Sequence, residues 1–196
     1  MADHSVLHFL FEVGSLKKIR RSGWWLAGIA APESVAEHTF RTAIIGFVLA
    51  EMVGADPART AVLCLFHDLT EARLSDLNHV TKRYIESELA SGKIIHDVVG
   101  ELPAPLGQKI AAVLSETHIG TTNEARTAHD ADILECMIQA REYESCGYQG
   151  VRTFRPNLTK RLFTSEAKRL AEVLETADPY SWWQTFLEQS LGKQGE

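Results

Sequence analysis

Three cysteines in 196 residues are too few for a disulfide framework, and Cys64, Cys136 and Cys146 lie far apart with no C-x-x-C pair. That excludes a cystine-stapled secreted domain and a thiolate zinc site, and leaves reduced thiols in a cytoplasmic protein as the expectation. No apolar run reaches the ~18–20 residues of a membrane span. The start, Met-Ala-Asp-His, lacks the basic opening and apolar middle of a secretion signal. There is no internal repeat, low-complexity tract or Gly/Ser linker, so one domain over 1–196 is expected. Positive charge is the minority, 20 Lys and Arg against 26 Asp and Glu, for a net charge of −6. A nucleic-acid polymer is therefore not an expected partner. Alternating strand patterns bounded by hairpin turns are also missing.

What remains is helical. Asp3 to Val13 carries Val6, Leu7, Leu10 and Phe11 at helical spacing, and Gly14 can end that helix. Residues 15–33 read as an irregular basic and aromatic segment. Ser34-Val-Ala-Glu37 fits a capping box, and the helix it opens has Phe40, Ile44, Phe47 and Val48 on one side. Asp56-Pro57 starts the next helix, whose apolar stretch Ala61–Phe66 runs into His67-Asp68. Further helices are expected at about 80–99, 105–118, 123–146, 158–176 and 179–191. The fold class is all-α.

The chemistry-bearing candidates emerge from context. His-Asp occurs three times, at 67–68, 96–97 and 129–130, where eight His and eight Asp in 196 residues predict roughly 0.3 by chance. Only His67-Asp68 closes a long apolar run and so brings a polar pair to the core, where it needs partners. A divalent cation supplies them. Glu71 follows on the same face, as a candidate acid or base. His38, one turn into the capped helix, is a second candidate ligand, though judged alone it reads first as a histidine bonded to a neighbouring carboxylate such as Glu37. A carboxylate from a later helix completes the set: Asp132, with Asp130 as the alternative. Two imidazoles and two carboxylates suit a six-coordinate ion such as Mn²⁺, Co²⁺, Fe²⁺ or Mg²⁺ better than a thiolate-type structural zinc.

The pattern His38, His67-Asp68, Asp132 resembles the H…HD…D signature of the HD-domain superfamily. Arg21-Ser-Gly-Trp24, Pro32-Glu-Ser-Val-Ala-Glu-His38, His67-Asp68-Leu-Thr-Glu71-Ala, Asp76-Leu, and Asp132 with Gln139-Ala-Arg-Glu-Tyr143-Glu are similar to the small HD-domain 5′-deoxynucleotidases. These motifs span about 21–144, with helices over 158–191 expected to pack on that core. The resemblance implies a helical HD-domain bundle, usually a homodimer. It implies a metal-dependent phosphohydrolase that removes the 5′-phosphate from deoxyribonucleoside monophosphates, a small-molecule nucleotide substrate. One divalent ion (Co, Mn, Fe, Mg or Ni, with Zn admissible) would be held by His38, His67, Asp68 and Asp132. Glu71, together with Asp68, would be catalytic. Arg21, Trp24 and Asp76 would contact substrate. Lys82, with Asn78 and Arg83, lies where it can reach a phosphate. Ser75 departs from the pattern, since close relatives usually have Gly there, and residues 86–122 match no motif. Hydrolysis of nucleoside triphosphates or cyclic nucleotides, or a non-catalytic metal- or nucleotide-binding role, are the alternatives; a two-iron oxygenase would need extra histidines such as His79, His96, His118 or His129.

Overall fold

The computed structural model describes residues 2–192; Met1 and residues 193–196 of the expected span lie outside them. Among the described residues there is no strand, and ten α-helices follow one another: α1 Ala2–Gly14, α2 Val35–Val53, α3 Pro57–Phe66, α4 Glu71–Leu74, α5 Ser87–Gly100, α6 Ala104–Ile119, α7 Asn123–Ser145, α8 Arg155–Thr159, α9 Ser165–Leu174 and α10 Ser181–Gly192. The all-α expectation holds. No helix among the described residues is long and apolar enough to cross a membrane.

The local signals act as their chemistry dictates. Ser34 caps α2 with the reciprocal box, its hydroxyl accepting from Glu37 N and its own N–H donating to the Glu37 carboxylate. Asp56 caps α3, accepting from Arg59 N at 3.0 Å. Residues 15–33 are less irregular than the sequence suggests. They fold as 3₁₀ turns at Ser15–Lys17 and Ser22–Ala27, tied to the start of α2 by an isolated antiparallel bridge between Arg20 and Ser34. Arg21 N donates to Glu33 O and Val35 N to Ile19 O, which holds Arg21 beside the first turn of α2.

The core face of α2 is not its most apolar face. Phe40, Ile44, Phe47 and Val48 are all exposed, from 48% to 68%. The buried side presents His38, Thr42, Ala43, Gly46, Leu49 and Ala50. Gly46 explains the choice, because a Cβ there would stand 2.5 Å from Cys64 Sγ, 3.3 Å from Thr60 Cγ2 and 3.6 Å from Ala131 Cβ. Small residues let α2, α3 and α7 approach closely, and a large apolar face would hold them apart. The long helix α7 runs through this core. Ile133, Leu134 and Met137 pack with Leu49, Leu162 and Ala171, while Ala125, Ala128 and Ala131 pack with Leu63 and Cys64.

Two expected helices are shorter than their apolar pattern. The first turns after Val80 are a 3₁₀ segment, Thr81–Arg83, and α5 begins only at Ser87. The stretch expected as one helix over 158–176 is broken between α8 and α9. Asp130 causes the break. Its fully buried carboxylate accepts from Phe163 N at 2.8 Å, Thr164 N at 2.8 Å and Thr164 Oγ1 at 2.7 Å, and Thr164 in turn caps α9 by accepting from Ala167 N. Burial works against the Asp130 charge, but the bonds from His129, Phe163 and Thr164 outweigh it and lower its pKa. A depressed carboxylate contributes stability above its unfolded pKa of about 3.9 and loses it as pH falls through the lower folded value. Asp130→Ala strands two backbone N–H groups and is expected to cost about 2–4 kcal/mol, with Asp130→Asn losing less. Urea unfolding at pH 7 checks this; the gap between wild type and Asp130→Ala should narrow below pH 4.

Candidate metal centre

Two helices and a turn deliver the polar cluster. α2 contributes His38, the turn after α3 contributes His67 and Asp68, and α7 contributes Asp132. The pair His67-Asp68 lies past the end of α3, which stops at Phe66; tight turns through Leu69 then start α4 at Glu71, with Glu71 N bonded to Asp68 O at 3.0 Å.

Both histidines are locked in the same tautomer. His67 Nδ1 lies 2.6 Å from Cys64 O; a carbonyl can only accept, so Nδ1 carries the hydrogen. His38 Nδ1 lies 2.5 Å from Glu135 Oε2. Burial opposes ionisation of Glu135, but the bond to His38 and the charges of His38 and Arg41 lower its pKa, so it too acts as acceptor. The two free Nε2 atoms therefore face each other, 3.3 Å apart. Around them, Asp132 Oδ1 is 3.2 Å from His38 Nε2 and 3.8 Å from His67 Nε2, and Asp68 Oδ2 is 3.1 Å from His67 Nε2 and 3.8 Å from His38 Nε2. Donor atoms around one octahedral ion with bonds of about 2.1 Å are about 3 Å apart along an edge; His38, His67 and Asp68 form a grouping that could hold one small divalent cation, and Asp132 borders it through His38 Nε2.

The electrostatics agree. Burial and Arg21 push His38 toward neutrality, yet its bonds to Asp132 and Glu135 raise its pKa to about 10. For Asp68 and Asp132 burial works toward the neutral acid, and the neighbouring histidines and Arg21 override it, holding both well below the usual carboxylate range. The pocket demands positive charge at this point. A second grouping, His38 with Glu135 and Cys136, fits a metal less well. Its His38 nitrogen is bonded to Glu135, and burial, with nearby carboxylates, holds the Cys136 thiol well above its ordinary value and therefore protonated.

Glu71 stands beside this cluster. It is 8% exposed, and its Oε2 is buried without a partner. Burial, with Asp68 and Asp76 nearby, lifts its pKa to about 10. A buried carboxyl with an unpartnered oxygen, beside His67 and Asp68 in one cavity, can hold and pass a proton.

Arg21 is not part of a solvated basic loop. Its Nη1 donates to Asp68 Oδ2 at 3.0 Å and Asp76 Oδ1 at 3.2 Å, and its Nη2 contacts Cys136 Sγ at 3.4 Å. Asp76 is also engaged at Oδ2 by Ser22 N, at 2.5 Å. It fixes Arg21 first, and a sugar hydroxyl can use only its remaining lone pairs. Trp24 is a core anchor, 5% exposed, edge-on to Tyr143, tilted against Phe154, with Nε1 bonded to Glu33. It still lines a cavity of about 260 Å³ with Arg21, Asp76 and Lys82. A second cavity, about 310 Å³, is lined by His67, Asp68, Glu71, Lys82, Ser91 and His118. Lys82 thus borders both cavities, whereas Asn78 is spent on the turn, its Oδ1 accepting from Val80 N and Thr81 N.

Asp130, the alternative to Asp132, binds the 163–164 backbone instead. Glu135 and Cys136 were not singled out from sequence. Glu135 had a signal: it sits one turn beyond Asp132 inside the apolar run Ile133, Leu134, Met137, where an acid needs a buried partner. Arg41 completes its shell, donating from Nε at 2.9 Å.

A grouping of imidazole and carboxylate donors that could hold a metal ion, set in an all-helical frame, defines a broad class of candidate metalloproteins, and comparison narrows it. Residues 13–174 match the HD domain family, and the chain belongs to that family. It is 32% identical over 153 residues to 5′-deoxynucleotidase HDDC2 of Dictyostelium discoideum, covering 73% of this chain and 80% of that one. It is 29% identical over 144 residues to the human protein of that name, covering 71% and 69%. A conserved hypothetical protein from Pyrococcus furiosus superposes with a TM-score of 0.74 at 27% identity, over 87% of this chain and 99% of its own. At 24% identity, a predicted metal-dependent phosphohydrolase from Magnetospirillum magnetotacticum shares the fold, with a TM-score of 0.73 over 88% and 90%.

Ser75, between Glu71 and Asp76, has φ 63° and ψ 166°. Only glycine reaches that region without strain, which accounts for the glycine of the resembling family. Relief of about 1–3 kcal/mol of strain, less the ~0.5–1 kcal/mol entropy cost of glycine, makes Ser75→Gly stabilising by about 1 kcal/mol. A rise in Tm of about 2–4 °C is expected by differential scanning calorimetry.

Proposed function

We propose that this protein is a metal-dependent phosphomonoesterase that removes the 5′-phosphate from deoxyribonucleoside 5′-monophosphates. The convergence of His38 Nε2, His67 Nε2, Asp68 Oδ2 and Asp132 Oδ1 carries the reading, and the family membership and the names of the similar proteins support it. These four atoms hold one divalent ion, with Co²⁺, Mn²⁺, Fe²⁺, Mg²⁺ and Ni²⁺ the best suited and Zn²⁺ tolerated. When bound, such an ion supplies positive charge against the phosphoryl oxygens and an acidified water.

The protein's own groups do the rest. Arg21, rigid between Asp68 and Asp76, offers its remaining N–H groups to the phosphate, and Lys82 adds charge from the shared rim. Glu71 holds the proton on its buried carboxyl and delivers it to the 5′-oxygen as the P–O bond breaks; the attacking water's proton restores it. The products are the nucleoside and inorganic phosphate. Asp76 keeps Arg21 in place and accepts from the sugar.

We read the chain as one domain and as a homodimer. The stripe Phe40, Ile44, Phe47 and Val48 is long, exposed and self-complementary in chemistry, as an isologous interface requires. The free thiols of Cys64, Cys136 and Cys146 accord with a reducing, cytoplasmic setting.

Metal-stripped protein, given Co²⁺, Mn²⁺ or Mg²⁺ and a panel of deoxy- and ribonucleoside monophosphates, should release phosphate only with metal and fastest from the deoxy compounds. Asp68→Ala should lose bound metal and turnover together; Glu71→Ala should keep metal and lose about 10²–10⁴-fold in rate. An Asp68→Ala protein with full metal and full rate would refute the assignment. Separately, Phe40→Glu with Ile44→Glu should convert a dimer to a monomer in sedimentation velocity; a wild-type monomer at every concentration would end the dimer reading.

A further inference from the structure

One cavity reaches the donor cluster and a second borders it through Arg21, and they differ in chemistry. The one containing Glu71 is lined by His67, Asp68, Glu88, Ser91 and His118, with no Phe, Trp or Tyr among the described lining residues. The other begins at Arg21 and Asp76 and has an apolar wall built from Trp24, Phe154 and Leu158. Arg21 touches Asp68 while lining the second cavity, so a ligand with its phosphate at the cluster can extend into it. At about 260 Å³ it lies just below the usual small-molecule range of about 300–1,000 Å³, enough for a nucleoside and not for a polymer.

Within that wall the aromatic rings are not equivalent. Trp24 is consumed by packing, with its indole N–H on Glu33 and its ring against Tyr143. Phe154 is only half-buried; it leans on Trp24 with centroids 5.7 Å apart and meets His79 edge-on at 6.1 Å. Leu158 stands one turn later, its N–H bonded to Phe154 O at 3.3 Å. Arg161, exposed, completes the lining. A nucleobase needs a flat apolar face and a polar edge partner. Phe154 with Leu158 gives the face, and Arg161 gives donors to the ring nitrogens and carbonyls of the base.

We propose that the segment Phe154–Arg161, outside the 21–144 motif region, forms the nucleobase seat, with Phe154 the stacking face and Arg161 the edge contact. This rests on the phosphomonoesterase reading above. It makes the segment around α8 the determinant of preference for whole nucleotides over sugar phosphates, while the metal cluster treats both alike.

The metal-loaded full chain and its Phe154→Ala, Phe154→Leu and Arg161→Gln variants are compared on deoxyribonucleoside monophosphates and on 2-deoxyribose 5-phosphate, which has no base. Phe154→Ala should lower the nucleotide-to-sugar-phosphate ratio of kcat/KM about tenfold, mainly through KM for the nucleotide. Phe154→Leu, which keeps the bulk if the alanine variant fails to fold, and the surface variant Arg161→Gln should lower it by less. Equal loss on both substrates, or an unchanged ratio in all three variants, overturns the proposal. Calorimetry with thymidine and deoxyguanosine tests the seat without turnover. Binding to the wild type that weakens in Phe154→Leu and Arg161→Gln supports it, and no nucleoside binding to the wild type overturns it. If no phosphate is released from either substrate class while nucleosides bind through Phe154, the enzymatic reading fails and the seat stands.

Discussion

His38 has no exposed surface, and most of the site follows from what its two ring nitrogens must do. Glu135 takes the Nδ1 hydrogen, so Nε2 presents a lone pair to the interior. His67, its Nδ1 given to Cys64 O, presents a second lone pair 3.3 Å away. Two lone pairs at that distance repel unless a proton or a cation stands between them, and Asp68 and Asp132 close on the same point. Arg41 stabilises the arrangement from outside, bonded at once to Glu135, Gln139 and Glu142. Removing any one charge from such a buried network leaves another uncompensated, so the cluster behaves as a unit.

The fold serves this constraint. Imidazole and carboxylate must meet across three helices, so α2, α3 and α7 have to approach closely, and Gly46, Ala43 and Ala131 permit that approach. The largest side chains of α2 are thereby left on the outer face. A periodic apolar stripe says that a helix has two sides, and packing volume decides which of them faces inward. Here the sequence pattern of Phe40, Ile44, Phe47 and Val48 marks a surface, and the core is written in small residues that carry little hydrophobic signal.

The same distinction separates what was legible from what was not. His38, His67, Asp68 and Asp132 could be picked out because chemistry-bearing types recur in a spacing with a capping box and an apolar run beside them. Glu71 and Arg21 followed by motif. Glu135 was hidden because an acid in a helix is usually solvated, and only its apolar neighbours hinted otherwise. Asp130 looked like a ligand candidate and is a staple for the 163–164 backbone; no local pattern announces a bond across 33 residues. The helix break at 160–164 was invisible for the same reason, since its cause lies in α7. Cys136, Phe154 and Arg161 carry no motif, and only the tertiary fold brings them to the Arg21 cavity.

Helix α7 therefore has three duties that are spaced along one face-by-face repeat. Asp130 holds the C-terminal segment, Asp132 lies against His38 Nε2, and Glu135 holds His38 Nδ1. Consecutive helical residues are about 100° apart, so a two-residue step turns the chain nearly to the opposite face, and Asp130 and Asp132 point to different tasks despite their proximity. The three-residue step to Glu135 returns near the face of Asp132, which is why both carboxylates reach the two nitrogens of the same histidine from one helix. The C-terminal segment that Asp130 anchors is the one that carries Phe154 and Arg161 back over the Arg21 cavity, so the histidine–carboxylate cluster and the wall beside it are registered to each other through a single helix.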